Sequence, residues 1–311
     1  MRRRFSADGV MHIYQRTVSG FNLFYTIEDF LVFYTIVAVQ AAAYKISLLG
    51  LCLMIDHVHM LLKAQDLKQM SNFISSCSSI YIREFNASTG RKGSLLESSF
   101  GSAIKLEMKK IRSAIAYLFN NPVEKKLCRK AEEYRWNFLA YYKSSTPFSS
   151  PSTSCSRRMT RAMKLVDESH RNGRYLRYAL LRIILKDLDN EEKQRIIDHI
   201  VSVYFPFQRN GLTKYYDSFE EMLIAINSNT GSEYDINERN YGKTDVPYRE
   251  IMACLKKLGI HDVRSVIMLT EKEKKQYAAL LRKSTSASGM QIRKFLHLKE
   301  SKDGPIKPAF T

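Results

Sequence analysis

The sequence predicts an α+β unit, an antiparallel sheet with helices mainly on one face, followed by an all-α region. Three observations point there. Across residues 1–145 the hydrophobic pattern alternates between strand and helix periods in the order β-α-β-β-α-β, with one helix appended, whereas past residue 158 only helical periods recur. Residues 146–158, TPFSSPSTSCSRR, are rich in Ser, Thr and Pro and have little to bury, so they are expected to link two domains. A chain of 311 residues that is 45% hydrophobic and 26% charged can fill more than one core and is neither disordered nor fibrous.

Each element has its own signal. Residues 12–18 predict a short strand, and 28–44 a largely apolar helix whose opening acidic residues suit its N-terminal dipole. The run ISLLGLCLMI and the segment HVHMLLKA, on either side of Asp56, predict two strands of a buried hairpin. Within 67–85, Met70, Phe73, Ile74, Cys77, Ile80 and Tyr81 recur at helical spacing, and NASTGRKG after it is turn chemistry. Residues 93–105 are expected to return as a strand or hairpin, and 108–121 carry Ile111, Ala114, Ile115 and Leu118 along one helix face.

Residues 159–311 are expected to be helical, with periodic segments over 176–188 and 191–204 and a polar loop over 227–243. Three short helices follow: 248–258 ended by Gly259, 271–282 with Thr270 and Glu273 as a capping box, and 290–297. Such a succession over about residues 245–300 permits a helix-turn-helix, with Gln291, Arg293 and Lys294 as DNA contacts on its last helix, and equally an ordinary helical bundle.

Forty-nine basic against 31 acidic side chains leave a net charge of +18, shared about equally by the two halves of the chain. A surplus that large, carried on both halves, points to a polyanion partner and favours nucleic acid over generic solubility charge, with a basic membrane-surface protein as the open alternative. Five widely spaced cysteines with no CxxC pair argue against a disulfide framework or a structural zinc site and fit a reducing cytoplasm. The apolar stretch over 30–44 is interrupted by Gln40 and falls short of the roughly 20 residues a membrane span needs. MRRRFSADG has no apolar run behind its arginines, so no secretory signal is expected.

His57 and His59 stand at i and i+2 on a predicted strand, where both imidazoles point to one face and can grip one divalent ion, or can be an inert pair. In AYLFNNPV, Tyr117 and Asn121 stand at i and i+4 and stack on one side of the third helix. The tyrosine there can be a nucleophile and the amide oxygen a ligand; the bland alternative is a core-boundary tyrosine and an Asn-Pro step that ends the helix.

Taken together, DHVHMLL, GSLLESSFGSAIK and YLFNNPVEKKL resemble the HUH transposases with one catalytic tyrosine, most closely the REP-associated tyrosine transposases, over about residues 10–142. The resemblance implies a ferredoxin-like HUH nuclease fold with His57 and His59 as metal ligands, Tyr117 as nucleophile and Asn121 completing the metal site. Ile55 and Asp56 depart from the Pro-Asn usual before the HVH segment, and Leu96 stands where an aromatic is common. Tyr81 is the fallback nucleophile, although Phe85 rather than a polar residue follows it at i+4.

The implied activity is metal-dependent cleavage and rejoining of single-stranded, hairpin or palindromic-repeat DNA through a covalent 5′-phosphotyrosine. A phenol of pKa about 10 attacks a phosphodiester poorly unaided. Mg²⁺ or Mn²⁺ held by imidazoles and an amide oxygen can polarise the phosphate. The phosphotyrosyl bond conserves the energy of the broken one, in keeping with a sequence lacking GxxxxGK[ST]. Arg2, Arg3, Arg4, Lys109, Lys110 and Arg112 are candidates to track phosphates, with an ordinary solvated charge as the first reading of each. A homodimer, with Tyr117 serving its own or a partner's site, stays open. Rival readings are a rolling-circle initiator or relaxase, a metal hydrolase that uses only the HxH pair, and a DNA-binding regulator that keeps the fold without the activity.

Overall fold

The structure, a computed structural model, describes residues 4–150, 155–208, 210–228 and 244–298. Four antiparallel strands, β1 (Val10–Arg16), β2 (Ser47–Leu53), β3 (His57–Lys63) and β4 (Gly101–Lys105), form one sheet in the order β2-β3-β1-β4. With helices α1 (Ile27–Ala43) and α2 (Leu67–Thr89) as the two connections, this is the ferredoxin-like arrangement. A third helix, α3 (Met108–Glu124), follows β4.

Side-chain alternation gives the sheet two unlike faces. Gln15 of β1 accepts a hydrogen bond from Ser78 of α2 at 2.8 Å, so Met11, Ile13 and Gln15 face α1 and α2. His12, Tyr14 and Arg16 point the other way, where α3 lies across β2, β3 and β4. Gly50 lets α3 approach: a Cβ built there would stand 3.3 Å from the Phe119 ring and 3.4 Å from Leu118.

The all-α region comprises α4 (Arg157–Arg171), α5 (Tyr178–Leu185), α6 (Asn190–Val203), α7 (Phe219–Asn227), α8 (Val246–Lys257), α9 (Glu271–Ser284) and α10 (Gly289–Leu296). It packs on the sheet unit rather than standing apart. The Tyr34 hydroxyl of α1 donates to the Val201 carbonyl at 2.8 Å, and the Leu176 amide donates to Thr35 at 3.1 Å. Covered by α2 on one flank and by α5 and α6 on another, α1 is apolar nearly all round because little of it meets water. No helix among the described residues is long and apolar enough to cross a membrane. Part of the Ser/Thr/Pro-rich stretch is held in place, with the Phe148 amide and Ser149 hydroxyl both donating to buried Asp198.

Several boundaries differ from expectation for local reasons. The second helix runs on through NAST to Thr89 and stops only at Gly90, whose φ of 75° is left-handed. Of residues 93–105 only Gly101–Lys105 form a strand; Arg91 donates to the Gly93 and Ser94 carbonyls and holds the preceding segment as a loop. The third helix continues past Pro122, which in a last turn forfeits only its own bond to the Leu118 carbonyl. The first strand starts at Val10 and ends at Arg16, because residues 18–20 turn as a short 3-10 segment. Most of the polar loop expected over 227–243 lies outside the described residues.

Candidate active site

The site forms where the polar face of the sheet meets α3. Register places Tyr14 opposite His59 and Arg16 opposite His57, so β1 and β3 present one continuous face. The predicted i, i+2 pair is present: the His57 and His59 rings lie 4.9 Å apart, nearly perpendicular. From α3, Tyr117 brings its ring to 5.4 Å from that of His59, edge-on. Asn121, one turn further along, places its amide nitrogen 3.3 Å from His59 Nε2. The structure therefore gathers His57, His59, Tyr117 and Asn121. Tyr81, the fallback nucleophile, is buried between α2 and α1 on the opposite face and donates to the Leu23 carbonyl at 3.1 Å.

A third imidazole joins them. His12 of β1 is fully buried, with Nε2 3.2 Å from His59 Nδ1 and its ring 5.6 Å from Tyr117. Burial, reinforced by the neighbouring His59 and Lys105, holds its pKa well below that of an ordinary histidine, so it is neutral. The donor pattern assigns the tautomers: the Asn121 amide donates to His59 Nε2, His59 Nδ1–H donates to His12 Nε2, and the His12 proton rests on Nδ1. Sequence reasoning missed His12. Its only local signal is the alternation of VMHIYQR, which puts residue 12 on the same strand face as Tyr14 and Arg16.

His57 is held differently. Its Nδ1 lies 2.7 Å from Asp56 Oδ1, and the other Asp56 oxygen lies 2.7 Å from Lys294 Nζ on α10. Burial alone would push the Asp56 carboxyl up, but the hydrogen bond and charge of His57 and the Lys294 ammonium outweigh it and hold the group well below the usual carboxylate range. At nearby Asp245 the balance falls the other way: burial, then the Asp56 charge, push it up to about 6 against the pull of His57, Lys125 and Lys294.

Both HxH imidazoles thus have Nδ1 engaged by a protein group, which aims Nε2 as the ligating nitrogen in the way second-sphere partners orient metal-bound histidines. A half-turn of the Asn121 amide would bring its oxygen to His59 Nε2 in place of its nitrogen. Two imidazoles and an amide oxygen fit a hard or borderline divalent ion that keeps water in its remaining positions. Among the described residues no three His, Cys, Asp or Glu side chains converge as a metal cluster; the further polar group beside the HxH pair is the Asn121 amide.

The expected DNA contacts fare unequally. Arg2 and Arg3 lie outside the described residues; Arg4, Lys109 and Lys110 are exposed, the last paired with Glu107 at 2.8 Å. Arg112 donates to the Tyr215 carbonyl and lies over the Tyr216 ring. On α10 the expectation is redirected. Gln291 is buried because it closes a capping box with Ser288 and donates to the Thr244 carbonyl, and Lys294 is buried because it turns inward to Asp56. Arg293 is half-buried and donates to the Ser19 carbonyl. The three α10 side chains read as DNA contacts turn to Thr244, Ser19 and Asp56.

Residues 26–121 match the family described as "Transposase IS200 like", a span that includes His57, His59, Tyr117 and Asn121 and leaves out β1 with His12. Over that span the chain is similar to IS200-like transposases. A solved structure of a REP-associated tyrosine transposase bound to a REP hairpin aligns at 12% identity over 50% of this chain and 94% of its own, with a TM-score of 0.39. No match is found among curated proteins.

Proposed function

We propose that this chain cleaves and rejoins single-stranded or hairpin DNA through a covalent tyrosine intermediate, with Tyr117 as the nucleophile. The observation that carries the reading is the meeting of Tyr117, Asn121 and the HxH pair around one spot, from elements 58 residues apart in sequence for His59 and Tyr117. The Tyr117 oxygen would bond to the scissile phosphorus as the bond to the 3′ oxygen breaks, leaving a 5′-phosphotyrosine and a free 3′-OH; the phenolic proton is lost on attack and the 3′ oxygen gains one. His57, His59 and Asn121 would hold Mg²⁺ or Mn²⁺, which when bound polarises the phosphate and offsets its growing charge by several kcal/mol. His59 packed edge-on to the Tyr117 ring fixes where the phenol can point, and α3 shields it from bulk water. The ring contact within one chain supports use of Tyr117 at its own site rather than at that of a second copy.

Polyanion binding is supported by the net charge of +18, with exposed Arg4, Lys109 and Lys110 as candidates to follow the backbone. The odd number of widely spaced cysteines supports a cytoplasmic setting. The test is incubation of the protein with a pool of stem-loop oligonucleotides and Mg²⁺ or Mn²⁺, followed by mass spectrometry for a tyrosine-linked nucleotide. Adduct on Tyr117 that disappears in Tyr117→Phe, with DNA binding retained, is the expected outcome. Cleavage without adduct would point to the hydrolase, and tight binding with neither would mark a regulator; either overturns the reading.

A further inference from the structure

We propose that the C-terminal helix α10 is a working part of the candidate site: through Lys294 it sets Asp56, and through Asp56 it orients His57. The inference rests on the reading of His57 as a metal ligand. It concerns a helix whose Lys294 lies 173 residues beyond the last residue of the family match.

The chain of contacts is short, with Lys294 buried and Asp56 and His57 half-buried. Lys294 is 4% exposed, and its ammonium reaches Asp56 Oδ2 at 2.7 Å while Asp56 Oδ1 accepts from His57 Nδ1 at 2.7 Å. Burying an ammonium is costly unless a carboxylate meets it, and withdrawing a carboxylate from water is costly unless hydrogen bonds and a cation meet it. Each charge therefore justifies the other. The geometry is prepared from both sides. Gly20, with φ of 64°, leaves room for the lysine stem, since a Cβ there would stand 3.2 Å from Lys294 Cε. Thr17 donates to the Asp56 carbonyl at 3.3 Å, and the Leu23 amide donates to the Ile55 carbonyl at 2.7 Å, so the turn carrying Asp56 is tied to the loop on which α10 docks. On that loop the Asn22 amide donates to the Lys294 carbonyl at 3.2 Å, Tyr25 donates to the Phe295 carbonyl at 2.8 Å, and His297 stacks on Phe21 at 4.4 Å.

An aspartate at 56 is also where the sequence departs from the asparagine of the resemblance. An asparagine could accept the same proton from His57 Nδ1 without a cation behind it. The carboxylate needs one, and α10 provides it. Lys294 touches neither substrate nor metal in this scheme; it is a positioning residue acting at one remove.

The test uses the full-length protein and two readouts. In the metal-free wild type, ¹⁵N NMR of the imidazole nitrogens is expected to find the His57 proton on Nδ1, facing Asp56; a proton resident on Nε2 would overturn the proposal without any variant. In Lys294→Met that signature is expected to change, and Mn²⁺ affinity, read by titration of free Mn²⁺ with electron paramagnetic resonance, to fall by about tenfold, the lower end of what removal of an outer-shell partner costs. Adding Asp56→Asn to Lys294→Met removes the stranded charge and is expected to restore both readouts to near wild type. Unchanged His57 resonances in Lys294→Met, or no recovery in the double variant, would refute the coupling. A wild type with the expected His57 signature but no Mn²⁺ binding would instead remove the metal reading and leave the positioning intact.

Discussion

His12 is an expensive residue to bury: a neutral imidazole with one nitrogen on His59 and the other, Nδ1, lacking a hydrogen-bond partner among the described residues. Two terms of similar size oppose each other when it is replaced. Removing the orphaned donor relieves about 1–3 kcal/mol of desolvation, and stranding His59 Nδ1–H costs about the same. His12→Phe is therefore expected to change stability little, within about 1 kcal/mol, while releasing the His59 ring that the imidazole holds. If His59 holds the metal as proposed, adduct formation on stem-loop DNA is then expected to slow by about 10- to 100-fold, the range for loss of an outer-shell partner. Thermal melts and single-turnover adduct assays on the same preparations decide it; an unfolded variant, or full activity, would show His12 to be mere packing. The HxH pair and the Tyr117–Asn121 pair were legible because each lies within one element, where i, i+2 and i, i+4 spacing fixes relative direction. His12 was not, since its partnership with His59 exists only once β1 is paired with β3 in a particular register.

At the scale of elements, what places Tyr117 over the sheet is the closeness of α3 to β2, and Gly50 permits it. Its missing side chain leaves the β2 backbone open to Phe119 and Leu118, and the irregular register between Leu48 and Gly50 falls at the same point. Gly50→Val is expected to push α3 outward, at a cost of about 1–3 kcal/mol for overpacking. It should also reduce adduct formation more than it reduces DNA binding, because the tyrosine moves and the basic surface does not. Equal loss of both, measured by gel shift and adduct yield, would detach α3 position from chemistry. Helix ends with a local capping signal were legible: Thr270 and Glu273 do form the box the sequence suggested, and Gly259 does follow α8 with φ of 84°. Ends set by tertiary contact were not. Pro122 stays helical amid the buried residues 119–121, and the loop before β4 takes its shape from Arg91.

For the molecule as a whole, buried titratable groups shape how stability follows pH, and one of them, His297, sits where α10 docks. His297 stacks on Phe21 and donates to the Asn22 carbonyl, and burial takes its pKa down to about 3. The unfolded chain takes up this proton near pH 6.5 and the folded one does not, so its contribution is complete above pH 6.5 and is lost as pH falls, by about 2 kcal/mol at pH 5. His12 acts in the same direction. Asp245 opposes them. Its folded pKa of about 6 lies above its unfolded value, so stability rises as pH falls through 6, by about 1 kcal/mol at pH 5. The raised Asp29 carboxyl acts with Asp245, and His12 with His297; the wild type is expected to lose stability between pH 7 and 5, as the imidazoles favour. His297→Phe, which keeps the aromatic stack, should flatten that profile, and Asp245→Asn should steepen it while making the protein more stable at pH 8. Urea unfolding at pH 5, 7 and 8 measures all three. A His297→Phe variant that loses as much stability on acidification as the wild type would mean that this imidazole is not held neutral by the fold, and that the docking of α10 does not depend on its charge.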